Sequence, residues 1–322
     1  MKHRESEFDG GLRATVIRER PMRYRDGADA ASDRPAHLRA GSGVTWWRDR
    51  LAVIQDDTAF IALVDPRDAL AEAIALPMPD GVRQFGDHLG NKKRKLDHES
   101  VFTVGGTLLA LGSGSKKARY RILRCAGSGD PELIDGDRLY RALIEETDFS
   151  GSELNVEGAC VVDGALRLFQ RGNGDARGGS EPVDATVDLD LDAFMAWLDA
   201  PGGKPPALGK VTRWALGALD GARLTFTDAC ARDDGSVLFL AAAEDSPDTY
   251  YDGPCAGSVI GVIPPKGRGR HARLTTPEGE PLTVKVEGVT LDRDDPRRAW
   301  VVVDRDDPHT PSSLLEVTLA GF

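Results

Sequence analysis

Glu157 lies in VEGA, Glu287 in VEGV, Glu99 in HES and Asp228 in TDAC, each near the start of a short apolar run. Ser42, in SGV, holds the same place in a run nearer the N-terminus. The steps from Ser42 to Glu99, Glu157, Asp228 and Glu287 are 57, 58, 71 and 59 residues. Buried-looking strands rarely carry a carboxylate unless it is paired or binds a cation. If these positions are equivalent members of a repeat set around one axis, four carboxylates and a hydroxyl face one another. Four like charges in a narrow, partly desolvated channel do not all stay ionised without help. Either several are protonated or a cation sits among them. Hard oxygen donors with no His or Cys cluster beside them favour Ca²⁺, with Mg²⁺ second. The alternative is that each acid accepts hydrogen bonds from backbone N–H groups of the neighbouring unit, with water filling the channel.

The clearest of the elements that must position these side chains is residues 154–173, LNVEGACVVDGALRLFQRGN. Val156 to Val162 reads as one strand, Asp163-Gly164 as a hairpin turn, and Leu166 to Phe169 as the return. The return ends in Gln170-Arg171-Gly172-Asn173, at the edge where Glu157 begins. Comparable strand sets occur at about 40–80, 96–135, 222–277 and 282–319. Helical spacing interrupts the third set before and within it, at 136–147 and 191–199, where Phe194, Trp197 and Leu198 read as core. The last set has three strands, and a lone strand at 12–19 supplies a fourth. Repetition of a four-stranded unit is the mark of a β-propeller. The expected fold is therefore all-β: a five-bladed propeller in one domain, 1–322, closed by its N-terminal strand, with two short helical insertions.

In each hairpin the second strand ends at the rim where the first begins. Those ends read Gln55-Asp56-Asp57, Ser113-Gly114-Ser115-Lys116, Gln170 to Asn173, Glu244-Asp245 and Asp304-Arg305-Asp306. Lys116, Arg171 and Arg305 among these carboxylates suit a small anion held beside a metal; ordinary solvated loop tips are the other reading. His98, next to Glu99, is a base or simply a rim residue.

Composition narrows the partners. The net charge of −11 argues against a nucleic-acid backbone or an anionic membrane. No apolar run approaches the roughly 18 residues of a membrane span, and the N-terminus lacks the apolar stretch of a signal peptide. Cys125, Cys160, Cys230 and Cys255 form no CxxC pair, so reduced, buried thiols in a cytoplasmic protein are expected. Cys160 and Cys230 close the same motif, EGAC and TDAC, which places them at equivalent core positions.

LNVEGACVVDGALRLFQRGN and VKVEGVTLD resemble a family of bacterial propellers that is a domain of unknown function, and the resemblance covers most of the chain, both helical insertions included. More distantly, the chain is similar to soluble calcium-activated nucleotidases (apyrases), which are five-bladed with a central Ca²⁺. Ser42, Glu157 in VEGA, Asp228-Ala229-Cys230 and Glu287 in VKVEGV carry that likeness. Where the apyrases have Ser before Ala-Cys, this chain has Asp228. The EG motifs also resemble esterase-like phytase and SdiA-regulated propellers. The resemblance implies a Ca²⁺-dependent hydrolase of a phosphate or other ester. Set against it are a non-catalytic binding or scaffold propeller with a structural ion and, third, a lactonase-like sugar-acid enzyme.

Overall fold

Strands form where the sequence alternates or runs apolar between turn residues, and in the computed structural model they pair almost wholly with their neighbours in sequence. The structure describes residues 2–127, 129–244 and 255–322; Asp245 and all but Cys255 of the loop expected over 246–255, SPDTYYDGPC, lie outside them. The protein is all-β with a minor helical part. One antiparallel ladder runs Gly41–Trp47, Arg50–Gln55, Phe60–Val64, Leu70–Ala75. The next runs His98–Val104, Thr107–Gly112, Arg121–Ala126, Glu132–Asp135. A third comprises Val156–Val162, Ala165–Gln170, Asp184–Asp190 and Thr212–Ala215. It is followed by Ala222–Ala231, Val237–Glu244, Cys255–Ile263 and Gly269–Thr275. Val286–Leu291, Arg298–Val303 and Ser313–Ala320 come last, and Arg13–Pro21 pairs antiparallel to the final strand.

The ladders do not remain separate sheets. An unexpected N-terminal strand, Lys2–Phe8, lies parallel between Thr212–Ala215 and Gly269–Thr275. Arg13–Pro21 also touches Gly269–Thr275 in parallel. Hydrogen bonding thereby joins strands into a 14-stranded sheet, beside sheets of four and five strands.

Apolar layers fill the spaces between successive ladders. Phe102, Leu109 and Ile122 pack on Val156, Leu168 and Val187, with the helices Asp137–Glu145 and Leu191–Leu198 adding Leu139, Tyr140, Phe194 and Trp197. Phe169 meets Phe226 and Phe239 in the next layer, and Leu238 and Ile260 meet Val301 and Val317 in another. Both helices fall where helical spacing predicts them, and the second opens on Asp190, whose side chain accepts from the Ala193 N–H. Asp163 and Gly164 have φ of 51° and 75°, the left-handed pair a two-residue hairpin turn requires. No helix of the described residues is long and apolar enough to cross a membrane.

The first strands of the ladders pack against one another in order, and Val286–Leu291 packs back against Gly41–Trp47. These five strands set the positions of the acidic residues.

Candidate functional site

A β-bulge recurs on each of these first strands. The pairing slips between Gly41 and Gly43, His98 and Ser100, Val156 and Gly158, Phe226 and Asp228, and Val286 and Gly288. A bulge leaves one residue out of the ladder and re-aims its side chain. The residues left out are Ser42, Glu99, Glu157, Thr227 and Glu287. Four are those the sequence singles out. In the remaining ladder the bulged residue is Thr227, and Asp228 stands one place further on, paired with Leu240.

That single step changes what Asp228 does. Its counterparts are Gly43, Ser100, Gly158 and Gly288, where neighbouring first strands come close. A Cβ on Gly288 would lie 2.8 Å from Cα of Gly43, and one on Gly158 would lie 3.1 Å from Cα of Asp228. Asp228 spans such a seam, its Oδ2 accepting the Val289 N–H at 2.8 Å. Burial pushes its carboxyl well above the usual range. Backbone capping therefore describes one oxygen of Asp228, whose Oδ1 is buried without a partner, while Glu99, Glu157 and Glu287 face a shared space.

That space is a cavity of about 400 Å³. Among the described residues its lining carries ten carboxylates (Asp56, Asp57, Asp87, Asp97, Glu99, Glu157, Glu287, Asp304, Asp306 and Asp307) and six basic side chains (Arg39, Lys92, Lys95, Arg119, Arg171 and Lys285). Ser42 also lines it, and its hydroxyl donates to the His98 carbonyl at 2.6 Å.

The basic residues interleave with the acids. Glu157 Oε1 accepts from Asn155 Nδ2 at 2.7 Å and Arg171 Nη1 at 3.4 Å. Lys285 Nζ lies 2.7 Å from Glu287 Oε1, while Glu287 Oε2, though buried, has no hydrogen-bond partner. Arg39 pairs with Asp57. Lys95 reaches Asp56 at 2.6 Å and Asp97 at 2.5 Å, and Arg119 holds the second oxygen of Asp97 at 2.8 Å. Asp56, Asp97 and Glu99 each bring an oxygen within 4.8 Å of the others, a grouping able to hold a metal ion.

Burial raises the carboxyls of Glu99, Glu157 and Glu287 above the ordinary carboxylate range. For Glu99 the charges of Asp97 and Glu157 add to it; for Glu157 and Glu287 the cations Arg171 and Lys285 oppose it. Asp304 is raised by burial and by Asp306, and Asp57, buried beside Asp56, is pushed up to about 7. Asp97 goes the other way: burial works against ionisation, yet Lys95 and Arg119 hold its carboxyl below the usual value.

Of the rim residues expected from sequence, Asp56, Asp57, Arg171, Asn173, Asp304 and Asp306 line the cavity. The others do other work or stand outside the lining. Gln55 is buried, with its amide oxygen accepting from Arg39 N at 3.0 Å and its amide nitrogen donating to the Tyr24 hydroxyl at 3.0 Å. His98 is buried away from the rim, where burial lowers its imidazole to about 4. Ser115 bonds Ser113 and Arg119, and Lys116 is outside the lining. Glu244 is buried against Arg171 and Lys285. Arg305 turns to Glu19 and to Ser313 Oγ, the latter at 3.1 Å.

Sequence reasoning missed Asp97, Asn155 and Lys285. They stand two places before Glu99, Glu157 and Glu287, and a strand's period of two puts them on the same face. Thr225 holds that place before Thr227, and its hydroxyl takes a hydrogen bond from Arg171 Nε at 3.2 Å.

Residues 37–319 match a family of unknown function, DUF6929. No curated protein matches the chain significantly. Among solved structures, glutaminyl cyclase of Myxococcus xanthus is 13% identical, with 99% of this chain and 98% of that one covered and a TM-score of 0.48. A mannose phosphorylase of Leishmania mexicana, MPT-4, is 13% identical over 94% of this chain and 88% of its own, TM-score 0.47. A gluconolactonase of Xanthomonas campestris is 13% identical over 95% and 97%, TM-score 0.43. Similarity at this level says nothing of the chemistry of this chain.

Proposed function

We propose a metal-binding role for this chain, which belongs to the family of unknown function DUF6929. In this reading the ladders are the five blades of a β-propeller, closed by the pairing of Arg13–Pro21 with Ser313–Ala320. The cation, Ca²⁺ before Mg²⁺, is held by Glu99, Glu157 and Glu287, with the hydroxyls of Ser42 and Thr227 completing the circle. The observation that carries the reading is Glu287 Oε2, a buried carboxylate oxygen in the lining of a net acidic cavity with no partner. Thr227 Oγ1 is likewise buried and unpartnered. Buried polar atoms of this kind call for an unseen ion or water, and a set of carboxylates and hydroxyls is a hard-oxygen donor set.

The activity we assign to the site is hydrolysis of a phosphate or other ester of a small anionic molecule. A bound Ca²⁺ supplies Lewis-acid polarisation and a template for the ester oxygens. From this chain, Asp304 at the rim stands as general base, and Arg171 and Asn173 serve to orient the anion. A second reading is a non-catalytic binding or scaffold propeller. It is favoured by Arg171 and Lys285, which neutralise Glu157 and Glu287 within the chain itself.

Calorimetric titration of EDTA-stripped protein with Ca²⁺ tests the metal, and Ca²⁺-dependent turnover of chromogenic phosphate and carboxylate esters separates the two readings. Binding that Glu157→Gln and Glu287→Gln each weaken is the expected result. Absence of Ca²⁺ and Mg²⁺ binding, with no metal in the untreated protein, overturns the metal; binding without turnover of any ester leaves the scaffold.

A further inference from the structure

We infer that Lys95 is a built-in counter-ion that reserves Asp56 and Asp97, so that the cavity takes a single external cation, at the ring beyond Glu99. The inference rests on the metal-binding reading of that ring.

Two acidic groupings compete for a cation in this cavity. One is the ring of Glu99, Glu157 and Glu287. The other is Asp56, Asp97 and Glu99, the grouping of the described residues whose oxygens converge within 4.8 Å. By that convergence alone, Asp56, Asp97 and Glu99 would be the better cation site. The gap between two of the three, however, is filled by the chain: Lys95 Nζ stands 2.6 Å from Asp56 and 2.5 Å from Asp97. Ca²⁺ binds oxygen at roughly 2.3–2.6 Å, so the ammonium occupies the space a calcium ion would need, and the two exclude each other.

The surroundings hold Lys95 there. Its side chain is 11% exposed and that of Asp97 3%. Arg119 and the Ser113 hydroxyl fix the other oxygen of Asp97. Asp56 follows the second strand of one ladder and Asp97 precedes the first strand of the next, so the ammonium also ties two ladders together. Deprived of it, buried Asp97 would face half-buried Asp56 with only the Asp97 contact of Arg119 to compensate the pair, a costly arrangement. Glu99 makes no direct ion pair among the described residues, which leaves it to the ring. A single side chain thus decides which of two adjoining acidic groupings is open to solution.

The experiment is a gain of function. Lys95→Met keeps the length of the side chain and removes its charge, and Lys95→Arg keeps the charge. EDTA-stripped proteins are titrated with Ca²⁺ in a calorimeter, with equilibrium dialysis counting bound ions. Lys95→Met is expected to take up one more Ca²⁺ per chain than wild type, and Lys95→Arg the same number as wild type. Adding Asp56→Asn to Lys95→Met should weaken the extra ion by about tenfold or more, since losing even an outer-shell partner of a ligand costs a metal site that much. An unchanged count in Lys95→Met, or an extra ion indifferent to Asp56→Asn, overturns the inference. If wild type binds no Ca²⁺ and Lys95→Met binds one, the ring reading fails and the role of Lys95 stands. If Lys95→Met does not fold in EDTA, refolding with and without Ca²⁺ decides: recovery only with Ca²⁺ supports the inference, and failure in both overturns it.

Discussion

The backbone N–H of Val289 donates to Asp228 Oδ2 at 2.8 Å, across the seam between two first strands. The bond uses a carboxylate where three of the other first strands have glycine and the fourth has Ser100, and it leaves Thr227 in the bulge. The two neighbours should therefore behave differently. Asp228→Ala strands a buried N–H and is expected to cost about 1–3 kcal/mol, with the stabilisation by Ca²⁺ unchanged. Thr227→Val removes a hydroxyl that has no partner, so metal-free stability should hold while the Ca²⁺ response weakens. Thermal melting with and without Ca²⁺ checks both; the reverse pattern would put Asp228 back in the ring.

How far the sequence leads depends on what each residue's neighbours hide. The hairpin at 154–173 is legible because Asp163-Gly164 is a turn and the flanking runs are apolar. Lys2–Phe8 is not: in KHRESEF only Ser6 is buried, so the strand leaves no apolar pattern and is held by its edges. Glu132–Asp135 escapes because it is only four residues long, with Leu133 and Ile134 side by side rather than alternating. At TDAC, acidity points to Asp228, whereas aligning Cys230 on Cys160 puts Thr227 opposite Glu157, and the bulges agree with the cysteines. Lys95 ends NKKRK, a run that reads as a solvated loop. Nothing in one dimension shows that its last residue turns inward onto Asp56, 39 positions away.

Glu287→Gln separates charge from shape. Burial holds this carboxyl well above its ordinary value against the pull of Lys285, so a neutral amide should leave metal-free protein as stable as wild type or more so. The Ca²⁺ response should shrink. A site saturated at 100 times its Kd stabilises by about 2.7 kcal/mol, and most of that should disappear from the melting curve. A Ca²⁺ shift equal to that of wild type would remove Glu287 from the site.

Asp57 gives a pH signature. Burial, with Asp56 adjacent, lifts its carboxyl to about 7 despite Arg39, whereas an unfolded Asp titrates near about 3.9. Between those values the folded state binds the proton more tightly, so the contribution falls as pH rises. It is fully present below about pH 4, is lost progressively up to about pH 7, and is flat above. Asp57→Asn lacks this group and shares the other titrating residues. The stability of wild type minus that of Asp57→Asn, from urea melts in EDTA, should therefore decline across that window by a few kcal/mol, on the order expected for a shift of this size. A difference that is level or rises with pH would contradict the assignment.

Two truncations test how the N-terminal strands hold the fold. Removing residues 1–9 deletes Lys2–Phe8, which buries only Ser6 and its 2.9 Å contact with His271 Nδ1. The loss uncovers the edges of Thr212–Ala215 and Gly269–Thr275, and a modest fall in melting temperature is expected. Removing residues 1–20 also takes Leu12, Ala14 and Val16, which are 4%, 1% and 6% exposed. It strips the partner from Ser313–Ala320, a strand carrying Leu315, Val317 and Leu319. An unpaired edge of that kind templates association with other chains. The longer deletion should therefore aggregate or melt far below the shorter one. Size-exclusion chromatography and thermal melting compare the two, and a monomeric longer deletion with the wild-type melting temperature would refute closure through Arg13–Pro21.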